Sequence, residues 1–364
     1  MKISNAQLKI DSASGQTHSD VLVWNAPETL KWSWSLRILD PDKAYYFHDQ
    51  NRAKPKIGDV ALVRIDKISN HTKMITARSE RLRLHHNDII VGVFGNRYAT
   101  DAFEAEVHGL EQLHLLTNAG MIGTMLSKNQ KVKFPTQVTF LGYLTDKEGQ
   151  TVNIKEVLFP AVVADSRHQN VVLVVGSGMN SGKTSTASKL VKALLKRGLR
   201  VSICKLTGSV SPGDLFEYHS TSAQDVRDFS DYGFPSTYLS ERQELIGLFY
   251  TMLADASRVK PDVIIMEIAD GILQRETKML LQAPEIKQHT CGVMLTATCA
   301  GSALFGIDKI QSYGHRVIGV SGVITNASLY VEEFQGNSQL PIAASWGDGS
   351  ELAELVIREM GEAS

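Results

Sequence analysis

The stretch VVLVVGSGMNSGKTST, residues 171–186, limits what this 364-residue chain can fold into more than any other feature. A continuous apolar run leads into closely spaced glycines, and a Gly-Lys-Thr opens a segment of helical periodicity. A loop that holds phosphate must leave a buried strand, turn several backbone N–H groups toward an anion, and end at a helix N-terminus beside a lysine. All three requirements are met. Gly176 and Gly178 ease the backbone where it turns closely, and Gly182 permits close approach just before the helix. Lys183 reaches the β- and γ-phosphates, and the Thr184 hydroxyl offers a ligand to Mg²⁺. The usual G-x-x-x-x-G-K-[ST] spacing falls on Ser177 at its first position, with Gly176 and Gly178 on either side. Gly178, Met179, Asn180, Ser181, Gly182, Lys183, Thr184 and Ser185 are the residues expected to touch nucleotide.

From this loop onward the sequence alternates strands with helices. SGKTSTASKLVKALLKRG (181–198) has helical periodicity, a basic end and Gly198 as a stop. RVSICKL (200–206), a helical ERQELIGLFYTMLADASRV (241–259), DVIIMEIAD (262–270), CGVMLTATCAG (291–301), HRVIGVSGVITN (315–326) and a terminal helix SELAELVIREM (350–360) follow. Such alternation predicts an α/β P-loop NTPase domain, residues 164–364, with a mostly parallel sheet covered by helices. ADSRHQN (164–170) suits a linker. Residues 1–163 read as a β-rich, barrel-like domain that supplies substrate or partner specificity. Its strands are expected at VALVRIDKI (60–68), DIIVGVFG (88–95) and QVTFLGYL (137–144), with a helix over 101–120 and further strands before residue 50. The loop GVFGNRYATDAFE (92–104) either binds a ligand or seats against the NTPase domain.

Bulk composition removes several function classes. The formal net charge is −1, so no global field argues for nucleic acid or an acidic membrane. Three widely spaced cysteines, Cys204, Cys291 and Cys299, carry no C-x-x-C pair and read as reduced thiols in the cytoplasm. No apolar run approaches the roughly 20 residues of a membrane span, and the N-terminus lacks a signal-peptide core. A locally basic stretch, residues 52–86, is read as a solvated face of alternating strands, since no aromatics interleave with its charges. Nucleic acid is therefore a possible partner but not the favoured one.

Written as G-x-G-x-x-x-G-K-T, the loop resembles that of the dethiobiotin synthetases. The signature lysine of the partition ATPases would fall at residue 178, which is glycine here, so that subgroup is disfavoured. The resemblance extends over residues 171 to about 345. Lys205 in ICKLTG stands where the family has a strand-end lysine, and Glu267 in IIMEIADG where its metal-holding glutamate lies. Asn326 in GVITN stands where a late asparagine contacts adenine. Two motifs depart from the family: K-P-V is K-L-T here, and the substrate loop E-G-A-G-G is replaced by E-I-A-D-G-I-L-Q-R-E-T. Gln274, Arg275 and Glu276 therefore stand where another ligand would be read, with Arg275 either near the γ-phosphate or in an exposed helix.

A carboxylate at the C-terminal edge of a central strand can hold Mg²⁺ or orient a nucleophile. Glu267 fits that place, and Asp270 is the next candidate. The polar segment 209–239 carries Asp214, Asp225, Asp228 and Asp231, which either ligate metal or serve as solvated caps. No N-K-x-D guanine signature follows a late strand, which favours adenine. The expectation is thus a Mg²⁺-dependent P-loop ATPase that carries out ATP hydrolysis or phosphoryl transfer, with ATP and Mg²⁺ as cofactors. Lys183, Lys205 and Glu267 are its catalytic residues, Thr184, Glu267 and Asp270 its metal ligands, and Asn326 its base contact. Two alternatives stand beside it: a ligase acting on a small-molecule carboxylate or carbamate, and a nucleotide-switched module that binds protein or nucleic acid. A homodimer away from the membrane is the expected assembly.

Overall fold

Two periodicities divide the chain, and the computed structural model follows them; it describes residues 21–22, 30–39, 45–48, 53–158 and 170–362. The chain forms two compact units. The first contains the described residues up to Arg97, Ala102–Leu158 and Gly233–Pro235; the second contains Tyr98–Asp101, the described residues from 170 to Tyr232, and those from Ser236 onward. The expected linker and the 163/164 boundary lie outside the described residues, apart from Asn170.

The first unit is built from residues that alternate inward and outward. Val60–Lys67 pairs with Ile89–Phe94, which pairs in parallel with Met121–Lys128. Met121–Lys128 pairs with Leu113–Leu115, which pairs with Thr136–Thr145, and that strand returns to Val60–Lys67. Five strands thus close a ring of hydrogen bonds, the barrel-like arrangement the sequence predicts. Ala61, Val63, Ile65, Ile90, Phe94 and Ile122 pack together as one cluster. Their sequence neighbours Val60, Leu62, Val91 and Val93 pack on the other face with Trp32, Leu36 and Tyr45. The helix expected over 101–120 does not form. Phe103–Glu106 and Leu113–Leu115 are strands instead, because Phe103, Ala105, Leu113 and Leu115 are buried at period two.

The second unit answers the long apolar runs. Its strands are β1 (Val171–Gly176), β2 (Val201–Lys205), β3 (Asp225–Asp228), β4 (Val263–Glu267), β5 (Thr290–Thr296) and β6 (Val317–Ser321). They lie in the order β3-β2-β4-β1-β5-β6, and every pair is parallel. Val171 to Val175 are fully buried, as a strand covered on both faces demands. Helix α1 (Lys183–Lys196) buries Ala187, Leu190, Val191 and Leu194 against the sheet and leaves Lys192 and Lys196 outside. Gly198, at φ +83°, follows its end.

The segment 209–239 is more ordered than a polar loop. Pro212 opens helix α2 (Pro212–His219), which leads through Ser222 into β3 and a 3₁₀ turn at Phe229–Tyr232. Helix α3 (Arg242–Ser257) starts at a capping box between Glu241 and Glu244. The remaining helices include α4 (Arg275–Leu281), α5 (Pro284–Lys287), α6 (Ala300–Ser312), α7 (Ser328–Gln335) and α8 (Ser350–Glu362). Among the described residues no helix is long and apolar enough to cross a membrane.

Candidate functional site

The site grows from the C-terminal end of β1, at the middle of the parallel sheet. In sheets of this type ligands bind at that edge, where successive connections leave in opposite directions. The chain leaves β1 for β2, yet β4 lies between them. The loop after β1 is held from several sides. Ser177 N–H donates to Thr296 O at 2.8 Å, the Ser181 and Thr296 hydroxyls are 2.7 Å apart, and Ile272 N–H donates to Gly176 O at 2.9 Å. A Cβ on Gly176 would lie 2.4 Å from Ser181 Oγ and 2.8 Å from Lys183 Nζ. Gly182 sits at φ +97°, and a Cβ there would meet Gly322 Cα at 3.0 Å. Both positions therefore need glycine for space or conformation. A Cβ on Gly178 would meet nothing within 4 Å, so packing does not exclude a side chain there.

Lys183 Nζ donates to Gly178 O at 2.9 Å and Asp270 O at 2.8 Å. Burial lowers its pKa, and the Glu267 carboxylate opposes that shift. Asn180, at φ +58°, donates from its side chain to Asp101 Oδ2 at 2.9 Å, within the stretch Tyr98–Asp101 that belongs to this unit. Met179 Sδ lies 3.2 Å from Thr100 N in the same stretch. Ser185 is exposed on the first turn of α1.

Beside the loop, five side chains meet. Thr184 Oγ1 is 3.2 Å from Asp214 Oδ1 and 3.1 Å from Glu267 Oε2. Lys205 pairs with Asp214 and lies 3.4 Å from Glu267 Oε1. Tyr218 donates its hydroxyl to Glu267 Oε2. Burial alone would lower the Lys205 pKa, but Glu267 and Asp214 outweigh it and hold the ammonium charged. Burial works to raise Asp214, and pairing with Lys205 overcomes it, so the carboxyl is held below its usual range. Burial pushes the Tyr218 hydroxyl well up, so it stays a donor.

The structure thus brings Thr184, Lys205 and Glu267 together, with Lys183 within their electrostatic reach. Of the four aspartates in 209–239, only Asp214 joins them. Asp228 and Asp231 cap the turn at residues 228–231, and Asp225 pairs with Arg227. Asp270 points its backbone carbonyl at Lys183 from φ +64°. Its carboxyl does not gather with Asp214 and Glu267: among the described residues no group of three or more His, Cys, Asp or Glu side chains is placed to hold a metal ion. Arg275 donates to Ser240 O and pairs with Glu276, while Gln274 caps α4. These three build the start of that helix. Asn326 is exposed at the end of the 3₁₀ turn Val323–Asn326. Tyr218 escaped sequence reading, although Asp214 and Tyr218 stand four apart and so share one face of α2.

Burial raises the Asp270 carboxyl to about 6 against the pull of Lys183 and Lys205. Between about pH 4 and 6 the folded chain keeps this proton while the unfolded chain releases it. Stability from this group therefore falls as pH rises through that window and levels off above it. Asp270→Asn is neutral throughout, and is expected to raise the melting temperature at pH 7.5 by several degrees more than at pH 4. The shift corresponds to about 3 kcal/mol at most. Any gain from asparagine's ease at positive φ would be the same at both pH values. Equal gains at the two pH values would refute the burial account, and lost Mg²⁺ affinity would make Asp270 a ligand after all.

Fold and loop together have the architecture of a P-loop NTPase domain. No protein-family model matches the chain. Among curated proteins, it is 29% identical over 182 residues to the signal recognition particle receptor FtsY of Agrobacterium fabrum, covering 47% of this chain and 35% of that protein. The match thus spans about a third of the relative's length. An FtsY structure from Elizabethkingia anophelis aligns with a TM-score of 0.36 at 17% identity, over 58% of this chain and 75% of that one. A DUF1611 family protein from Anabaena variabilis aligns with a TM-score of 0.39 at 16% identity, over 55% and 62%. The dethiobiotin synthetase branch, ATP as the nucleotide and a homodimer draw no support from these relatives.

Proposed function

We propose that this chain hydrolyses a purine nucleoside triphosphate with Mg²⁺, using the loop Gly178–Ser185 to bind phosphates and the Lys205–Asp214–Glu267 cluster for catalysis. The observation that carries this reading is the meeting of Thr184 with two carboxylates and a charged lysine beside the phosphate loop. The donor set suits Mg²⁺, because a hydroxyl and two carboxylates are hard oxygen ligands and Glu267 is almost fully buried. Thr184, Asp214 and Glu267 would hold the ion, with Asp270 a nearby carboxyl to be tested against them. Mg²⁺ bound there supplies neutralisation of the phosphate oxygens.

The chain's own groups do the rest. Loop N–H groups and Lys183 bind the phosphates at the start of α1. Lys205, kept charged by its two acidic neighbours, places a fixed cation where negative charge develops. Tyr218 and Thr184 fix the Glu267 carboxylate from two directions, so it needs no reorganisation during turnover. Catalysis by such a site is positioning and electrostatics.

The identity of the base is a further part of the proposal. Likeness to a signal recognition particle receptor makes GTP the first nucleotide to measure against ATP. Phosphate release by purified protein with GTP or ATP, with and without Mg²⁺, tests the reading. Mg²⁺-dependent turnover of at least one nucleotide is expected. Failure of both to bind would refute it.

A further inference from the structure

Trp346 is 63% exposed, whereas Trp32 and Trp34 are buried. Its ring is nevertheless fixed, because Nε1–H donates to Thr325 O at 3.0 Å. The neighbouring backbone is fixed too. Ser345 N–H donates to Thr325 Oγ1 at 3.0 Å, and Ser345 Oγ donates to Gly322 O at 3.0 Å. Lys189 of α1 donates to Ser345 O. Gly322 in turn rests on the phosphate loop: Val323 N–H donates to Ser181 O at 3.0 Å, beside the close approach of Gly182 to Gly322. A short run of hydrogen bonds therefore ties an exposed indole to the phosphate loop.

The order of strands gives this indole a direction. Lys205 and Glu267 end β2 and β4 on one side of β1, while Thr325 and Trp346 follow β6 on the other. A nucleotide whose terminal phosphate faces Glu267 would have the β6 side, opposite that carboxylate across β1, as the place for its sugar and base. There it meets a rigid aromatic face, next to the exposed Asn326. Bases stack on aromatic side chains because every base has a π-face, and tryptophan offers the largest one.

We propose that Trp346 is the stacking wall for the nucleobase, a specificity-determining residue that acts on the base and not on the phosphates. This rests on the P-loop reading above. The test compares the parent protein, Trp346→Ala and Trp346→Phe by calorimetric titration with GTP, ATP and inorganic tripolyphosphate. Trp346→Ala is expected to weaken the preferred nucleotide by about 5- to 150-fold, the range for loss of one base–aromatic stack. Trp346→Phe should stay within about threefold of the parent, and tripolyphosphate, which has no base, should bind all three proteins equally. Fluorescence of Trp346, isolated by subtracting the Phe variant, is expected to be quenched by nucleotide but not by tripolyphosphate. Unchanged nucleotide affinity in Trp346→Ala would overturn the inference while leaving the P-loop reading intact. So would a parallel loss of tripolyphosphate affinity, which marks a structural role. A parent protein that binds neither nucleotide nor tripolyphosphate would bring down both.

Discussion

Lys183→Ala is expected to weaken nucleoside triphosphate binding by at least about 100-fold and to abolish turnover. The ammonium is buried and held by two carbonyl oxygens, those of Gly178 and Asp270, at the mouth of the loop. It can give phosphate oxygens charge-assisted hydrogen bonds, each worth about 1.5–3 kcal/mol. Two such bonds correspond to about 10²- to 10⁴-fold in affinity. Effects on the folded protein should be small by comparison. Truncation leaves two carbonyls without this donor, but it also removes a desolvated cation, and the two changes oppose each other. The measurement is calorimetric titration together with thermal unfolding. Binding within threefold of the parent, by a variant that melts normally, would remove Lys183 from the site and with it the P-loop reading.

The phosphate loop was legible because its constraints lie in consecutive residues. Gly176 and Gly182 answer steric demands set by Ser181, Lys183 and Gly322, and a Gly-Lys-Thr after a buried strand leaves few other folds open. Lys205 and Glu267 were legible for a related reason: each ends an apolar strand, which places it at the ligand edge of a parallel sheet. Asp214 was only half legible. Four aspartates crowd one polar segment, and composition does not say that Pro212 starts a helix whose Asp214 and Tyr218 share a face while Asp225, Asp228 and Asp231 serve turns and ion pairs. The stretch 101–120 misled because Phe103, Val107 and Leu110 share a helical face at spacings of four and three; sheet pairing imposed period two on Phe103–Glu106 and Leu113–Leu115 instead. Trp346 was illegible from local pattern. Its significance depends on Thr325, Ser345 and Gly322 being joined by hydrogen bonds that sequence spacing does not announce.

Glu267→Gln should separate binding from chemistry. The carboxylate touches Thr184 and Tyr218 and lies 3.4 Å from Lys205, but no phosphate-loop N–H depends on it. Glutamine keeps the shape and an acceptor oxygen while removing the charge. Nucleotide affinity without Mg²⁺ is expected to stay within about threefold, since Lys183 and the loop amides are untouched. Turnover at saturating nucleotide should fall by about 10²- to 10³-fold, the effect of losing one preorganised electrostatic group. The Mg²⁺ concentration for half-maximal activity should rise, because one of three hard ligands has lost its charge. Stability falls as well: Lys205 keeps Asp214 but loses one of the two carboxylates that hold it charged. Thermal unfolding measured beside turnover keeps these effects apart, and Asp214→Asn gives an independent check from the other carboxylate. If Glu267→Gln turns over nucleotide at the parent rate with unaltered Mg²⁺ dependence, Glu267 only supports the fold, and the catalytic cluster must be sought on another side of the loop.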